Sequence, residues 1–146
     1  MEQKKVLHVF NKMDRGGAEL RTLDVLKYID KDRYKFYFCS LSGEKGELDE
    51  TIEALGGKMV YCRLKDASFP KNFITLLKKL KIDVVHANMY YFSGVILLLA
   101  KYAKVPNRIA HFRSADSGKL NTVISSIKYH ILKSMIYKYA TNIVGV

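Results

Sequence analysis

The sequence has 146 residues, of which 49% are apolar and 27% are charged; this is the composition of one ordinary globular domain and excludes a low-complexity chain. The formal net charge of +11 is uneven, because residues 1–57 hold 10 Lys/Arg and 11 Asp/Glu whereas residues 58–146 hold 15 and 3. The basic second part favours an anionic partner (a membrane surface, a nucleic acid or a phosphorylated substrate), although a merely solvated basic face would give the same count.

Targeting segments, membrane spans and metal sites are not predicted. The N-terminal MEQKKVLHVF lacks the apolar stretch and cleavage site of a signal peptide, and the longest apolar run, Met89–Ala100, is shorter than the ~20 residues that span a bilayer. Cys39 and Cys62 lie in strand-like apolar runs, so we interpret them as reduced core residues. No Cys/His cluster has zinc spacing. These features predict a cytoplasmic protein.

Short apolar segments alternate with helical ones along the whole chain. The predicted strands are, in chain order, Lys5–Phe10, Tyr34–Leu41, Lys58–Cys62, Asp83–Ala87, Arg108–Phe112 and 141–146. The predicted helices are Ala18–Ile29, Leu48–Leu55, Pro70–Leu80, Tyr91–Lys104 and Leu120–Tyr139. Gly56 and Gly57 end the second helix as a C-cap, Pro70 opens the third at its first turn, and Val105-Pro106 ends the fourth.

Two of these helices have apolar faces that we expect to pack on the sheet. The first helix repeats apolar or small residues on one face, at Ala18, Thr22, Val25, Leu26 and Ile29. The last helix has an apolar side made of Val123, Ile124, Ile127, Ile131, Leu132, Met135 and Ile136. This last helix also carries four lysines (Lys119, Lys128, Lys133 and Lys138), interleaved tyrosines and no acid. It therefore fits either an interfacial membrane helix or a core-packing helix with a basic outer face.

Continuous apolar strands that alternate with helices predict an α/β fold: a doubly wound, mainly parallel sheet covered on both faces, in a Rossmann-like single domain. In such folds, ligands bind beyond the carboxyl ends of the strands. We therefore expect the functional residues in the loops after Phe10, Leu41, Ala87 and Phe112.

The loop after the first strand reads NKMDRGGAE and leads directly into the first helix. Backbone N–H groups at a helix N-terminus attract anions, and Gly16 and Gly17 would let a phosphate or sugar approach them without meeting a Cβ. The loop is neither a P-loop, since the lysine and Ser/Thr of GxxxxGK[ST] are missing, nor the GxGxxG dinucleotide fingerprint. An ordinary turn into a helix remains the alternative.

Polar residues also follow the fourth and fifth strands. His86 ends the fourth strand and Asn88 lies two positions on, although a histidine there is often a satisfied core residue. The segment HFRSADSGK places His111 and Arg113 on one side of the fifth strand if the strand continues that far, with Ser114 and Asp116 beyond them. Arginine suits bidentate anion binding, but a solvated loop would look the same.

Five blocks of the sequence resemble, in order, the N-terminal half of glycosyltransferase family 4, and most closely its capsular- and exopolysaccharide-type members. They are VLHVFNKMDRGGAELRTLDVLKYID, GELDETIEALGGKMVYC, KIDVVHAN, VPNRIAHFRSADSGK and YKYATNIVGV, which together cover essentially the whole chain. Their order and spacing make the resemblance specific.

The resemblance implies that residues 1–146 form the N-terminal, acceptor-side domain of a GT-B enzyme, whose two Rossmann-like domains face each other across a cleft. The donor domain is expected outside this chain, which alone would then be inactive. The implied reaction moves a sugar, with retention of configuration and without a metal or cofactor, from a nucleotide-sugar co-substrate to a saccharide or lipid-linked acceptor. The basic half would hold the enzyme at the inner face of an anionic membrane.

The resemblance also implies roles for individual residues. Gly16 and Gly17 match a glycine pair near the donor's diphosphate and the transferred sugar, with Asp14 and Arg15 lining the same loop. His111 matches a histidine beside that sugar. Close relatives tend to show two histidines one residue apart here, and Arg113 stands at the second position, where it would stabilise charge but could not act as a neutral imidazole.

The remaining residues of the implied site would contact the acceptor. His86 and Asn88 would touch it or form the cleft floor, and Ser114 and Asp116 would shape its loop. Two alternatives stay open: a stand-alone sugar- or nucleotide-binding module or truncated relic, and a different enzyme on the same kind of sheet. Nucleic acid is not an expected partner, because no recognised binding motif or stacking platform is present.

Overall fold

A computed structural model describes residues 2–112 and 123–145, which contain six strands and five helices in alternation. The strands are β1 (Lys4–Phe10), β2 (Tyr34–Ser40), β3 (Lys58–Tyr61), β4 (Val84–Ala87), β5 (Asn107–Phe112) and β6 (Asn142–Gly145). The helices are α1 (Gly17–Tyr28), α2 (Asp49–Ala54), α3 (Phe69–Leu80), α4 (Ser93–Tyr102) and α5 (Val123–Tyr139). Each predicted strand and helix is confirmed with small shifts at its ends; residues 120–122, predicted as the start of the last helix, lie outside the described residues.

The six strands form one sheet in the order β3-β2-β1-β4-β5-β6, and every neighbouring pair is parallel. The chain begins at the centre of the sheet, where His8 of β1 lies opposite Phe38 of β2 on one side and His86 of β4 on the other. This arrangement confirms the predicted Rossmann-like α/β fold, and it brings the carboxyl ends of β1, β4 and β5 next to one another.

Helices cover both faces of the sheet, because alternate residues of each strand point to opposite sides. On one face, Leu23 and Leu26 of α1 pack with Val6 and Phe10 of β1. On the other face, α3, α4 and α5 contribute the buried residues Phe73, Leu97 and Ile136, among others, to a larger core. Both cysteines, Cys39 and Cys62, are buried and reduced, as expected.

The residues predicted to begin or end helices are found at the helix ends. Gly56 follows α2 with φ +91°, a left-handed conformation that side chains rarely adopt, so it ends the helix as predicted. Pro70 lies in the first turn of α3, and Lys81, with φ 54°, closes the same helix. A single 3₁₀ turn at Tyr90–Phe92 precedes α4, so the predicted fourth helix begins as a tighter turn before it becomes regular.

Two predicted helix faces need correction. In α1 the buried residues are Thr22, Leu23 and Leu26, whereas Val25 is 48% exposed. Successive helical residues are rotated by about 100°, so Val25 points roughly 100° away from the centre of this buried stripe. The prediction grouped apolar residues by spacing alone, and the side that faces β1 and β2 includes Leu23 instead.

The apolar side predicted for α5 is covered only in part. Leu132, Met135 and Ile136 are at least half-buried, and Gly94 of α4 approaches this stretch closely. The other four predicted residues are all exposed, namely Val123, Ile124, Ile127 and Ile131. Only the C-terminal part of α5 therefore packs on the core. None of the helices in the described ranges is long and apolar enough to cross a bilayer.

Candidate functional site

The start of α1 presents bare backbone at the carboxyl end of β1. Gly16 is the N-cap, and its carbonyl oxygen accepts a hydrogen bond from the Leu20 N–H at 2.9 Å. Among the described residues, nothing lies within 4 Å of the position that a Cβ on Gly17 would occupy. The atoms nearest to a Cβ on Gly16 would be those of the Glu19 carboxylate, which is the end of a flexible side chain. The fold itself therefore does not require a glycine at position 17.

A cleft of about 330 Å³ lies directly against this backbone. Its lining comes from the carboxyl ends of β1 and β5, the start of α1 and the segment between β4 and α4, namely from Phe10, Gly16, Gly17, Ala18, Glu19, Asn88, Tyr90 and His111. Four residues predicted from separate parts of the sequence thus meet in one place, since Gly16, Gly17, Asn88 and His111 all line the cleft. The carboxyl ends of β1, β4 and β5 are neighbours in the sheet, which is why the loops that follow them converge.

Asn88 is fixed at the cleft by its own backbone. Its N–H donates to the carbonyl oxygen of Val9 at 3.0 Å, which extends the pairing of β1 and β4 by one residue. Its side-chain Nδ2 donates to the carbonyl oxygen of His86 at 3.2 Å. The amide is therefore held beside the cleft by contacts that the strand pairing determines.

His86 supports His111 from the sheet instead of lining the cleft. Nε2 of His86 lies 2.9 Å from Nδ1 of His111, and the two ring planes are within 5° of parallel. On its other side, His86 approaches the buried ring of His8, with centroids 5.1 Å apart. Three histidines from β1, β4 and β5 therefore form a row that leads to the cleft, in which Nδ1 of His111 faces His86.

The side chains of Asp14 and Arg15 turn towards the loop after β2, away from the residues that line the cleft. Oδ1 of Asp14 accepts a hydrogen bond from the Glu47 N–H at 3.0 Å, and Nε of Arg15 lies 3.6 Å from the Glu47 carboxylate. Gly46 packs so closely on the backbone of Met13 that a Cβ would overlap it. In the described structure both side chains connect the glycine loop to the loop after β2 and neither lines the cleft, so their expected contact with a ligand stays a prediction.

The other three predicted residues, Arg113, Ser114 and Asp116, lie outside the described residues. Strand β5 is described as far as Phe112, so the expected shared side of His111 and Arg113 is not tested.

Sequence reasoning missed Tyr90, Glu19, Phe10 and Ala18. Tyr90 is 54% exposed and has φ 50°, an uncommon conformation for a non-glycine residue that often marks a functional turn. The available signal was the pair of tyrosines near the start of the apolar run Met89–Ala100, just beyond the carboxyl end of β4. That run was interpreted as a helix, so its tyrosines were not considered as site residues. Glu19 escaped notice because an acid in a first helical turn is ordinary.

The electrostatics of the cleft combine two opposite contributions. The N-terminus of the 12-residue helix α1 attracts an anion, while the carboxylate of Glu19 beside Gly16 already meets part of that attraction. No group of three or more His, Cys, Asp or Glu residues in the described ranges could hold a metal ion. The cleft is thus suited to hydrogen bonds from backbone and side-chain donors.

Comparison with known proteins identifies the relatives of the chain. It is 45% identical over 143 residues to the capsular polysaccharide biosynthesis glycosyltransferase CapH of Staphylococcus aureus, a match that covers 97% of the chain and 40% of CapH. The chain is a homologue of capsular polysaccharide glycosyltransferases. It is also 33% identical over 114 residues to EpsF of Bacillus subtilis (strain 168), which carries the provisional name of a glycosyltransferase, covering 75% of the chain and 30% of EpsF. The chain therefore spans less than half the length of these relatives. No protein-family profile matches it.

Solved structures agree on the fold. Anabaena HepE in complex with UDP-glucose superposes with a TM-score of 0.67 at 14% identity, over 95% of this chain and 36% of HepE. Acinetobacter baumannii MurG superposes with a TM-score of 0.69 at 13% identity, over 98% of this chain and 41% of MurG. These matches confirm the Rossmann-like α/β fold. Leucoanthocyanidin reductase of Vitis vinifera, bound to NADPH, also superposes, with a TM-score of 0.62 at 13% identity over 96% of this chain and 49% of the reductase. The fold alone therefore does not decide the activity.

Proposed function

We propose that this chain forms the acceptor-side half of a retaining, metal-independent glycosyltransferase of the family 4 type. Its reaction would move a sugar from a nucleotide-sugar to a polysaccharide or a lipid-linked precursor. The relationship to CapH supports the pathway, and the UDP-glucose in HepE supports the donor class. The observation that carries the proposal is the open backbone of Gly17 at the mouth of the cleft.

The roles follow from which groups face the cleft. The N–H group of Gly17 would receive the diphosphate or the sugar, since a helix N-terminus favours negative charge and this residue has no side chain in the way. The N–H of Gly16 already donates to the carbonyl oxygen of Asp14 at 2.9 Å, so Gly16 would contribute only its lack of a side chain. His111 would contact the transferred sugar across the cleft, and Asn88 would contact the acceptor. Tyr90 adds an aromatic face on which a ring can lie.

The supporting residues act through these groups. His86 would fix the ring orientation and tautomer of His111, as a hydrogen bond to the second ring nitrogen generally does. Asp14 and Arg15 would hold the glycine loop against the loop after β2. Arg113 remains a candidate beside the sugar, and Ser114 and Asp116 remain candidates for the acceptor loop.

A titration of the ¹⁵N-labelled chain with UDP, UDP-glucose and glucose tests the binding part. We expect UDP and UDP-glucose to shift the amide signals of Gly16 and Gly17, and UDP-glucose alone to shift His111. Shifts confined to the opposite edge of the sheet, or none at millimolar concentration, would contradict the proposal.

A hybrid protein tests catalysis and separates an enzyme from a binding module. These residues would replace the matching 143 residues of CapH, so that the remainder of CapH supplies the second half. We expect transfer with retained anomeric configuration by the hybrid and no transfer by the chain alone. A hybrid that binds nucleotide-sugar but transfers nothing would favour the non-catalytic module.

We further propose peripheral contact with an anionic membrane through the exposed part of α5. The unpacked residues Val123, Ile124, Ile127 and Ile131 form an apolar stripe, with Lys128 on the same stretch of helix and no acid in α5. A basic helix with an exposed apolar stripe can lie in the membrane interface. This supports the membrane alternative for the N-terminal part of α5 and the core-packing alternative for its C-terminal part.

Vesicle sedimentation at low salt tests this contact. We expect the chain to sediment with phosphatidylglycerol vesicles and not with phosphatidylcholine vesicles, and Ile127→Ser to weaken the binding. Val25→Ser, at an apolar residue of α1 with similar exposure, serves as the control and should change nothing. Equal recovery with both vesicle types, or an equal effect of both variants, would contradict the proposed membrane contact.

A further inference from the structure

A second concavity lies at the same edge of the sheet as the cleft, beyond the ends of β2 and β3. This groove has a volume of about 610 Å³ and runs between the loops after these strands and one side of α3. It shares no lining residue with the cleft. We call it the α3 groove; its polar and aromatic lining includes Tyr61, Arg63, Lys71, Asn72, Thr75 and Lys79.

The cations of the α3 groove come from two elements that line it. Lys71, Thr75 and Lys79 are spaced four residues apart and therefore lie along one side of α3. Arg63 comes from the loop after β3, and its stem packs on Gly43, where a Cβ would stand 3.1 Å from the Cβ of Arg63. Gly43 also has φ +75°, so both the backbone and the packing require glycine at this turn.

The acidic residue in the α3 groove neutralises it only in part. Asp66 lies 4.0 Å from Nε of Arg63, at the limit of an ion pair, and both side chains are about half exposed. Such surface pairs contribute little, so three cations and one acid leave the groove with a net positive charge.

The charge at the beginning of α3 is opposite to what the helix itself favours. A helix N-terminus carries partial positive charge, which acidic residues in the first turn normally offset, as Glu19 does in α1 and Asp49 and Glu50 do in α2. The first turn of α3 has no acid and instead carries Lys71. The hydroxyl of the N-cap Ser68 does not cap a backbone N–H in the described structure and instead accepts a hydrogen bond from Nδ2 of Asn72 at 3.0 Å. The helix terminus and the lysine therefore add their positive potentials, an arrangement that a bound anion would stabilise.

We propose that the α3 groove binds an anionic group, a carboxylate or a phosphate, on the saccharide acceptor. This inference rests on the proposed function. Parallel strands lie about 4.8 Å apart, so the groove beyond β2 and β3 is on the order of 10 Å from the cleft beyond β1 and β4. An extended acceptor whose end lies in the cleft would pass the groove one or two sugar units earlier. The groove thereby selects acidic over neutral chains.

A saccharide fits the α3 groove better than a membrane does. Interfacial helices insert apolar side chains, whereas Phe69, Phe73 and Leu77 of α3 are buried in the core. The groove is concave and has an amide and a hydroxyl beside its cations, at Asn72 and Thr75; Nδ2 of Asn72 donates to Oγ of Ser68 at 3.0 Å, which leaves its carbonyl oxygen and second N–H for a ligand. These groups suit hydrogen bonding to a polar ligand.

The test is a titration of the labelled chain with a glucuronic-acid-containing tetrasaccharide, its neutral carboxyl-reduced form, and inorganic phosphate. We expect the acidic tetrasaccharide to shift the amides of Arg63, Lys71 and Thr75, and the neutral one to leave them unchanged. Shifts by the acidic tetrasaccharide support a carboxylate ligand, and shifts by inorganic phosphate alone support a phosphate ligand. Equal shifts by the neutral form, or no shift with any probe, would overturn the proposal.

Matched variants exclude a general charge effect. Lys71→Gln and Lys79→Gln should each weaken binding about tenfold, as expected for one charged hydrogen bond. Lys78→Gln, next to Lys79 on the same helix but outside the lining, should not. Equal effects of all three would mean unspecific attraction. Loss of binding to phosphatidylglycerol vesicles in Lys71→Gln, but not in Lys78→Gln, would assign the groove to the membrane and overturn the saccharide.

Lys71→Glu separates ligand binding from structure. Because an acid in the first turn complements the helix terminus, we expect this variant to have a higher thermal midpoint while it no longer binds the probe. A lower midpoint together with lost binding would indicate a structural role and contradict the proposal. None of these measurements needs UDP-glucose or transfer, so saccharide binding here and nucleotide binding at Gly17 succeed or fail independently.

Discussion

At the residue scale, Gly17 most clearly separates what the fold needs from what a ligand needs. Glycine in the first turn of a helix is less favourable than alanine, and no described atom lies near the missing Cβ. We therefore expect Gly17→Ala to raise the free energy of unfolding by up to about 1 kcal/mol. The same change should weaken UDP binding, because the added methyl group projects into the cleft. Urea unfolding and a UDP titration measure the two effects.

Gly46 is the contrasting control for this prediction. A Cβ there would overlap the backbone of Met13, which cannot move aside as a side-chain end can. Gly46→Ala should therefore lower the free energy of unfolding by about 1–3 kcal/mol, the usual cost of overpacking. If Gly17→Ala also destabilises the chain, or leaves UDP affinity unchanged, the ligand explanation for this glycine is wrong.

The pair of His86 and His111 gives a second prediction at this scale. His86→Phe keeps an aromatic ring beside His8 but removes the nitrogen that faces Nδ1 of His111. We expect the Nδ1 resonance of His111 to shift in ¹H–¹⁵N correlation spectra, since its hydrogen-bond partner is gone. The affinity for UDP-glucose should fall about tenfold while that for UDP is retained, because the ring is proposed to contact the sugar.

His130 serves as the matched control for this variant. It lies on the exposed side of α5, so His130→Phe should leave the His111 resonance and both affinities unchanged. A UDP affinity that falls in parallel with that of UDP-glucose would show that His86 supports the whole cleft instead of the sugar contact.

At the element scale, the sequence predicted the positions of the strands along the chain better than it predicted which faces of the helices are buried. Buried parallel strands are continuous apolar runs, and this signal needs no knowledge of their neighbours. The faces of α1 and α5 depend on which side another element covers. Val25 has the helical spacing of a buried residue, yet α1 packs on the sheet through Leu23 and Val25 is exposed. Likewise Ile127 is exposed, because α5 packs on the core through Ile136.

The candidate site was predictable to a similar extent and for a similar reason. The rule that ligands bind at the carboxyl ends of parallel strands selected Gly16, Gly17, Asn88 and His111. It could not distinguish side chains that face the cleft from those that face a neighbouring loop, as Arg15 faces Glu47. Nor could it find Tyr90, which itself adopts a left-handed conformation, with φ 50°, between β4 and α4.

The contact between α4 and α5 gives a prediction that belongs to the packing of elements. A Cβ on Gly94 would stand 2.7 Å from the carbonyl oxygen of Leu132 and 2.9 Å from the Cβ of Met135. One atom belongs to the α5 backbone and the other is a Cβ fixed to it, so neither can move aside alone and the helices must separate to admit a methyl group. We expect Gly94→Ala to cost about 1–3 kcal/mol in urea unfolding. Gly145→Ala, where nothing described lies within 4 Å, is the control and should cost less than Gly94→Ala.

At the scale of the whole molecule, groups that titrate above neutral pH make the fold sensitive to alkali. Burial, with a smaller contribution from Asp66, raises the pKa of Cys62 from 9.0 to about 11, and burial raises that of Cys39 further. Burial and the hydrogen bond to Asp49 raise the pKa of Tyr61 from 10.0 to about 12. The hydrogen bond to Tyr129 does the same for Tyr91. Folding therefore favours the neutral form of all four groups.

The direction of the pH effect follows from these shifts. Each group stabilises the fold fully below its ordinary pKa, and that contribution is lost as pH rises from 9.0 towards 11 for Cys62 and from 10.0 towards 12 for the two tyrosines. Loss of lysine charge acts in the opposite direction, because the chain carries +11 at pH 7 and its self-repulsion falls towards the isoelectric point near 9.6. We therefore expect the free energy of unfolding to be maintained up to about pH 9 and to decline above pH 10.

Urea unfolding followed by circular dichroism at pH 8, 9, 10 and 11 measures this decline, and Cys62→Ala identifies its source. The variant loses the thiol at every pH, so its stability is lower throughout, but its decline between pH 9 and 11 should be shallower than that of the unmodified chain. Thiol alkylation gives an independent check, since a buried thiol with a raised pKa should react slowly at pH 8 until urea unfolds the chain. Parallel declines for the two proteins would mean that lysine and tyrosine titration, and not the buried thiol, governs stability in alkali.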